Sequence, residues 1–138
     1  MEKSTEQLLE ILKKSSLEAY LTENSGELIQ NPLCNYISAM IDEKGLTKAA
    51  VIEKSNISEV YVYQICSGIR IPSRDKLIAL CFGMGLSVDE TQTLLKYAGY
   101  AALYPRNKRD SVIIASMEKG KTLVLCNIAL DELNLSPL

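Results

Sequence analysis

The sequence predicts an all-α protein in which a helix-turn-helix bundle is flanked by further helices at both ends. Three observations predict it. Apolar residues recur at helical spacing in several segments. Most of these segments open with a side chain that can cap a helix and close at a glycine. Residues 46–74 also read as two short helices joined by a tight turn, then a glycine-ended loop and a third capped helix.

The N-terminal segment is predicted to hold two amphipathic helices. Ser4 and Gln7 have the spacing of a capping box. An apolar stripe follows at Leu8, Leu9, Ile11 and Leu12, and a second pattern comprises Leu17, Tyr20 and Leu21. The polar segment Thr22–Gln30 reads as a connector. We assign residues 1–31 to this arm and connector.

The next helix is predicted to begin at Asn31-Pro32, because proline is tolerated at the first helical position, and to end at Gly45. It opens the predicted helix-turn-helix domain, residues 32–104. Its buried stripe is Leu33, Tyr36, Ile37, Met40 and Ile41.

Local signals define the helix-turn-helix itself. Thr47 and Ser58 can cap its two helices. Asn56 tolerates the left-handed conformation that the turn needs, and the second helix is predicted to end at Gly68. Ala50 and Val51 are expected to face inward and Ile57 to fill the corner, and the second helix carries Tyr61, Val62 and Ile65.

Four further helices are predicted after this motif. Ser73 can cap one that runs through Phe82 and is broken by Gly83 and Gly85. A capping box at Ser87 opens the next helix, to about residue 98. A basic turn then precedes a helix that stops at Gly120, and the last helix spans about residues 122–133.

An internal repeat with an offset of 35 residues relates the last two helices to the two before them. Both copies read as a helix, a glycine stop and a capped helix. We therefore predict that residues 105–138 form a C-terminal helical hairpin that repeats the preceding one and packs on it, within one compact domain overall. The identities are Arg74/Arg109, Asp75/Asp110, Ile78/Ile113, Gly85/Gly120, Leu95/Leu130 and Leu103/Leu138.

The last predicted helix is apolar nearly all round at its start. Its apolar residues are expected to lie mainly in the core, with some covered by the N-terminal helices or by another subunit. The outer face of the hairpin is a candidate surface for a protein partner. The residues concerned are Leu123, Val124, Leu125, Ile128, Ala129 and Leu133.

Composition excludes several functional classes. The chain has 138 residues, 47% of them hydrophobic, and this suits one folded domain. No apolar run approaches the ~20 residues of a membrane span, so we expect a soluble, cytoplasmic protein without a membrane partner. It contains no histidine, and its 4 cysteines form no CxxC pair. We therefore expect no metal, no cofactor and no enzymatic activity, and we expect the thiols to be buried or half-buried.

Charge is distributed unevenly along the chain. The net charge is −2, which is unusual for a protein that binds only phosphate. Residues 1–45 carry 4 basic and 8 acidic residues, whereas the remainder is slightly positive. DNA is sensitive to the charge of the local face, so this acidic arm is compatible with DNA binding but predicts weak non-specific affinity.

Residues 46–74 resemble the phage-repressor-like (XRE-type) helix-turn-helix family, whose usual run is roughly L-T-Q-x-x-L-A-x-x-S-G-V-S-x-x-Y-I-S-Q-I-E-x-G-x-R-x-P-S. The resemblance covers roughly residues 35–90. Together with the following LLKYAGY and LYPRNKRD runs, the chain looks like small bacterial regulators that extend this domain at its C-terminus. The residues that match in register are Leu46, Thr47, Ser55, Ser58, Tyr61, Gln64, Ile65, Gly68, Arg70, Pro72 and Ser73.

The resemblance implies a sequence-specific regulator that binds double-stranded DNA, as a homodimer. Its recognition helix, at about residues 58–67, would lie in the major groove. The candidate base-reading residues are Glu59, Val60, Tyr63 and Gln64. The candidate phosphate-contacting residues are Thr47, Lys48, Ser58, Tyr61 and Arg70.

Alternatives stay open at several of these positions. The Gln64 amide can bridge adenine N6 and N7, or it is simply solvated. Glu59 either accepts from cytosine N4 or repels phosphate. Tyr63 either packs or contacts DNA, and Arg70 either contacts phosphate or forms a surface salt bridge.

A second hypothesis is a helical protein-interaction module that keeps the helix-turn-helix fold without DNA binding. Residues 58–67 contain no Lys or Arg and one Glu, and Glu59, Val60 and Cys66 depart from the family pattern.

The remaining basic residues are less specific signals. Arg74 is expected to be solvated or paired with Asp75. The basic turn at residues 106–109 is a candidate nucleic-acid contact, but such short turns are usually solvated. Arg109 repeats Arg74, which suggests a structural role that the two share.

Overall fold

A computed structural model describes residues 3–23 and 32–138, and all the regular secondary structure in those ranges is helical. It comprises α1 Thr5–Lys14, α2 Leu17–Glu23, α3 Pro32–Glu43, α4 Lys48–Ser55, α5 Glu59–Cys66, α6 Arg74–Met84, α7 Val88–Tyr97, α8 Lys108–Glu118 and α9 Leu123–Glu132. The predicted all-α fold is confirmed. No helix in these ranges is long and apolar enough to span a bilayer.

The chain divides into two compact units, residues 1–30 and 31–138. In the first unit, Ser4 and Gln7 form the predicted capping box: the Ser4 hydroxyl accepts from the Gln7 N–H at 3.1 Å. None of the apolar residues of α1 is buried. The predicted connector falls largely on residues 24–30, which lie outside the described residues, as does Asn31.

The second unit has one continuous apolar core to which every helix from α3 to α9 contributes. On α3, Ile37 and Ile41 are buried, and the other stripe residues pack against the core while half-exposed. Thr47 and Ser58 cap α4 and α5 through bonds to the N–H groups of the third residue beyond. Asn56 has φ 52° in the turn between these helices, so the left-handed turn is confirmed.

The expected helix break at Gly83 is wrong, because α6 runs through it to Met84. A Cβ atom at Gly83 would lie 2.7 Å from the Cβ of Ser55 and 2.8 Å from the carbonyl oxygen of Val51, both on α4. Glycine, which has no side chain, therefore allows α4 and α6 to approach each other closely at this position. The helix ends instead at Gly85, which has φ 67°.

The two C-terminal hairpins, α6–α7 and α8–α9, make equivalent contacts at the predicted offset of 35 residues. The Gln92 amide oxygen accepts from the Leu103 N–H at 2.6 Å, and the Asn127 amide oxygen accepts from the Leu138 N–H at 2.8 Å. The left-handed residue after α7 is Gly99 with φ 83°, and its counterpart after α9 is Asn134 with φ 59°. The second hairpin thus repeats the first in its hydrogen bonding as well as in its sequence.

Two arginine–aspartate pairs join these hairpins reciprocally. Arg74 pairs with Asp110 at 3.0 Å, and Arg109 pairs with Asp75 at 2.9 Å. Each arginine also donates from Nε to a carbonyl oxygen of the segment that follows its own hairpin, Arg74 to Ala101 and Arg109 to Ser136. The structural role proposed for Arg109 is supported. Arg74, however, is neither solvated nor paired with Asp75.

The expectation that the apolar residues of α9 lie mainly in the core is wrong for most of them. Leu123 is buried as expected, and Cys126 and Leu130 lie beside it on the inner face. Their spacing of three and four residues fixes the rotation of the helix and turns the other apolar side chains outward. The exposed ones are Val124, Leu125, Ile128 and Leu133.

Candidate nucleic-acid interface

The second helix of the motif, α5, is anchored by two apolar side chains and exposes its opposite face. Val62 and Ile65 are buried, and α5 lies against α3 and α4. These anchors are three residues apart, so the face that carries Glu59, Val60 and Tyr63 points away from the core. The structure therefore groups these three predicted base-reading residues on one accessible surface, while Gln64 lies half-buried at its edge.

Arg70 folds back onto α5 and contacts Gln64. Its Nε donates to the Gln64 side-chain oxygen at 2.8 Å, and the Gln64 carbonyl oxygen accepts from the N–H groups of Ile69 and Arg70. The Arg70 guanidinium also lies over the ring of Tyr61, 4.9 Å from its centroid. Tyr61, Gln64 and Arg70 thus form one cluster beside α5.

This cluster leaves hydrogen-bond donors available for a ligand. The Gln64 oxygen already accepts one bond, while its amide NH2 group has no partner among the hydrogen bonds within the described ranges. Arg70 uses Nε for this contact, so the four N–H groups on its two terminal nitrogens remain able to donate to phosphate. The geometry orients Gln64 through Arg70 and leaves the Gln64 amide donors close to the terminal N–H groups of Arg70.

A second cation lies at the start of α4. The Thr47 hydroxyl caps this helix by accepting from the Ala50 N–H at 3.1 Å, and Lys48 is its first residue. The ammonium of Lys48 lies 5.2 Å from the centroid of the Tyr63 ring on α5. Lys48 and Arg70 therefore bracket the exposed face of α5, each over a tyrosine.

The Ser58 hydroxyl acts as the cap of α5, accepting from the Tyr61 N–H at 3.2 Å. Glu59 follows in the first turn, where a carboxylate is favourable to the helix dipole. Cys66 lies on the inner side, half-buried, and burial raises the pKa of its thiol above the ordinary value. It is therefore a protonated, weakly nucleophilic group at neutral pH.

Sequence reasoning missed two exposed apolar residues in the loop after α5. Ile69 and Ile71 flank Arg70, and Ile71 is 77% exposed. With Val60, 65% exposed, they make the surface beside the cations partly apolar. Two isoleucines around an arginine in a short loop were the only signal available in the sequence.

A cavity of about 220 Å³ lies behind the same loop, with Leu33, Ile65 and Ile71 among its lining residues. Cys34, Arg70 and Tyr97 also line it. Within residues 3–23 and 32–138 no group of three Cys, Asp or Glu side chains is arranged to hold a metal ion.

Comparison with known proteins identifies a family. A family model described as a helix-turn-helix domain matches residues 8–94, more than half of the chain. The matched region begins within α1 and ends within α7, and it includes α5 together with Lys48 and Arg70. Searches of curated proteins and of solved structures find no match.

Proposed function

Because this chain belongs to the helix-turn-helix domain family, we propose that it binds double-stranded DNA sequence-specifically and regulates transcription. In this proposal α5 lies in the major groove, and a homodimer engages two half-sites about one helical turn apart. The observation that carries the proposal is the bracketing of the exposed face of α5 by Lys48 and Arg70.

The residues divide into base-reading and phosphate-contacting groups. Gln64 contributes amide donors to a base edge, and Val60 offers an apolar contact to a thymine methyl. Glu59 and Tyr63 complete the surface that faces the bases. Phosphates are contacted by the residues around it, namely Thr47, Lys48, Ser58, Tyr61 and Arg70.

Arg70 has two roles in this arrangement, and substitutions separate them. Lysine at position 70 keeps the positive charge but loses the planar fork that holds the Gln64 oxygen. We therefore expect Arg70→Lys to keep most of the overall affinity and to relax base preference. Arg70→Ala should weaken binding to all sequences and reduce the salt slope by about 1.

The experiment begins with selection of a randomised duplex pool by the purified protein at low salt, repeated at higher salt. An enriched two-fold motif supports the proposal. On that motif, Gln64→Ala should lose ~1–3 kcal/mol of discrimination at one base pair of each half-site. Lys96→Ala, which removes a charge from an exposed position of α7, is the control and should change neither quantity. Unchanged binding by the Gln64 and Arg70 variants would refute this docking.

A second candidate function is a protein-interaction module, and the apolar surface beside α5 favours it. Val60, Ile69 and Ile71 are exposed next to Tyr63, and no Lys or Arg occurs in residues 58–67. If the protein retains no DNA even at low salt, this candidate replaces the first. A photo-crosslinker placed at Val60 should then capture a protein, and the same group at Thr93 on α7 should not.

A further inference from the structure

The repeat allows the outer face of α9 to be compared with the same face of α7. At the offset of 35 residues, Asp89, Glu90 and Thr93 of α7 correspond to Val124, Leu125 and Ile128 of α9. The first set is polar. The second set is apolar, yet its members are 62%, 48% and 49% exposed, respectively. The two faces are equivalent in the repeat, but one is polar and the other is apolar. Exposure to solvent does not explain why the face of α9 is apolar.

In the first hairpin this face lies beside α3. Lys44, just after α3, pairs with Glu90 at 3.0 Å, and the rings of Tyr36 and Tyr97 are 4.7 Å apart. Side chains of α3 and α7, including Asp89 and Thr93, also line one groove. In the second hairpin Val124, Leu125 and Ile128 are exposed, and no helix of residues 32–138 covers the equivalent face. The repeat thus leaves a helix-sized apolar surface along α9.

We propose that a second copy of this chain docks on this face, with the two α9 helices packed antiparallel about a two-fold axis. The inference rests on the dimer of the proposed function and adds its location. Isologous packing closes the assembly at two copies, whereas a head-to-tail contact would continue into a filament.

The charges at the two ends of α9 favour the second copy over another helix. Lys119 and Lys121 precede the helix, and Asp131 and Glu132 end it. Asp131 and Glu132 lie seven residues after Val124 and Leu125, on the same face. None of these four charged residues belongs to an ion pair within the described part of the chain. Antiparallel pairing brings the basic end of each α9 to the acidic end of the other.

One register satisfies the apolar and the charged contacts together. If Val124 of one copy faces Ile128 of the other, the two-fold axis passes beside residue 126. The same axis then places Lys121 opposite Asp131 of the second copy, because this pair is centred on residue 126 as well. A self-complementary arrangement of this kind is what a two-fold contact requires.

The test measures the oligomeric state of the full chain by sedimentation equilibrium without DNA. The wild-type protein should be dimeric at micromolar concentration. Ile128→Asp should raise the dimer dissociation constant about 100-fold or more, because a two-fold interface carries the substitution twice. Thr93→Asp, at the equivalent position of α7, is the matched control and should leave the dimer intact. Far-UV circular dichroism should show that both variants remain folded.

A charge-reversal pair tests the antiparallel register. Lys121→Glu should weaken the dimer about tenfold, and adding Asp131→Lys should restore it, because each substituted residue then faces the other across the axis. The inference is overturned if the wild-type protein stays monomeric at concentrations on the order of 100 micromolar. It is also overturned if the Ile128→Asp variant stays dimeric. DNA binding is measured separately on a single half-site, so a dimer that binds no DNA counts against the proposed function alone.

Discussion

The two reciprocal ion pairs between α6 and α8 should contribute very unequally to stability. The Asp110 side chain is 9% exposed and accepts from Arg74 at 3.0 and 3.3 Å and from the Tyr104 N–H at 2.9 Å. The Asp75 side chain is 46% exposed and accepts from Arg109 alone, at 2.9 and 3.0 Å. The chain thus offers two pairs of the same chemistry in different environments.

Asp110→Asn should therefore destabilise the protein by about 3 kcal/mol, because removing one partner of a buried pair leaves the other uncompensated. Asp75→Asn should cost about 1 kcal/mol or less, since solvent screens an exposed pair. A chain of this size loses roughly 3–5 °C in melting temperature per kcal/mol. The melting temperature should therefore fall by about 9–15 °C for Asp110→Asn and by at most about 5 °C for Asp75→Asn.

Urea unfolding followed by far-UV circular dichroism measures both free energies of unfolding. The two variants remove the same charge from equivalent positions, so each serves as the control for the other. Repeating the measurement at 1 M salt should shrink the effect of Asp75→Asn and largely preserve that of Asp110→Asn. Equal losses, or a larger loss for Asp75→Asn, would refute the reasoning from burial.

Three further predictions concern packing and ionisation. Gly83→Ala should destabilise the protein by about 1–3 kcal/mol by overpacking α4 against α6, although alanine favours a helix; unchanged urea midpoints would refute it. The Ser87 N–H and Lys44 lower the pKa of the Glu90 carboxyl in the folded protein. The ionised carboxylate therefore stabilises the fold at pH values above the pKa that Glu90 has in the unfolded chain, and this stabilisation is lost as the pH falls through its pKa in the folded protein. Glu90→Gln should accordingly flatten the acid limb of stability against pH. Burial raises the pKa of Cys81 to about 12. The Cys81 thiol therefore keeps its proton in the native state at pH values above ~8.5, at which the unfolded state releases it. Stability should fall with rising pH there, and Cys81→Ala should reduce the slope.

The first group of correct predictions concerned interactions within a few residues. The caps at Ser4, Thr47, Ser58 and Ser87 and the left-handed turn at Asn56 all formed where the sequence predicted them. A cap joins groups three residues apart, so its geometry follows from local chain stereochemistry. The repeat was likewise visible in the sequence, because identical and similar residues recur at an offset of 35 residues.

The errors arose where distant helices meet. Gly83 has the sequence signal of a helix stop, and only the approach of α4 shows that it serves packing. The apolar residues of α9 could have faced either way until Leu123, Cys126 and Leu130 fixed the rotation. At the candidate interface, the predicted roles of Gln64 and Arg70 in DNA contact stay predictions, while the bond between them was not foreseen.

The sequence by itself determined the helices and most of their ends, because capping, turn formation and apolar periodicity depend on residues close together in the chain. Only the tertiary structure decided which side chains from distant parts of the chain meet. It placed Lys48 over Tyr63, joined Arg74 to Asp110 and turned Val124, Leu125 and Ile128 of α9 away from the core. Those outcomes depend on how helices rotate and approach one another as the common core packs, and no short stretch of sequence encodes that.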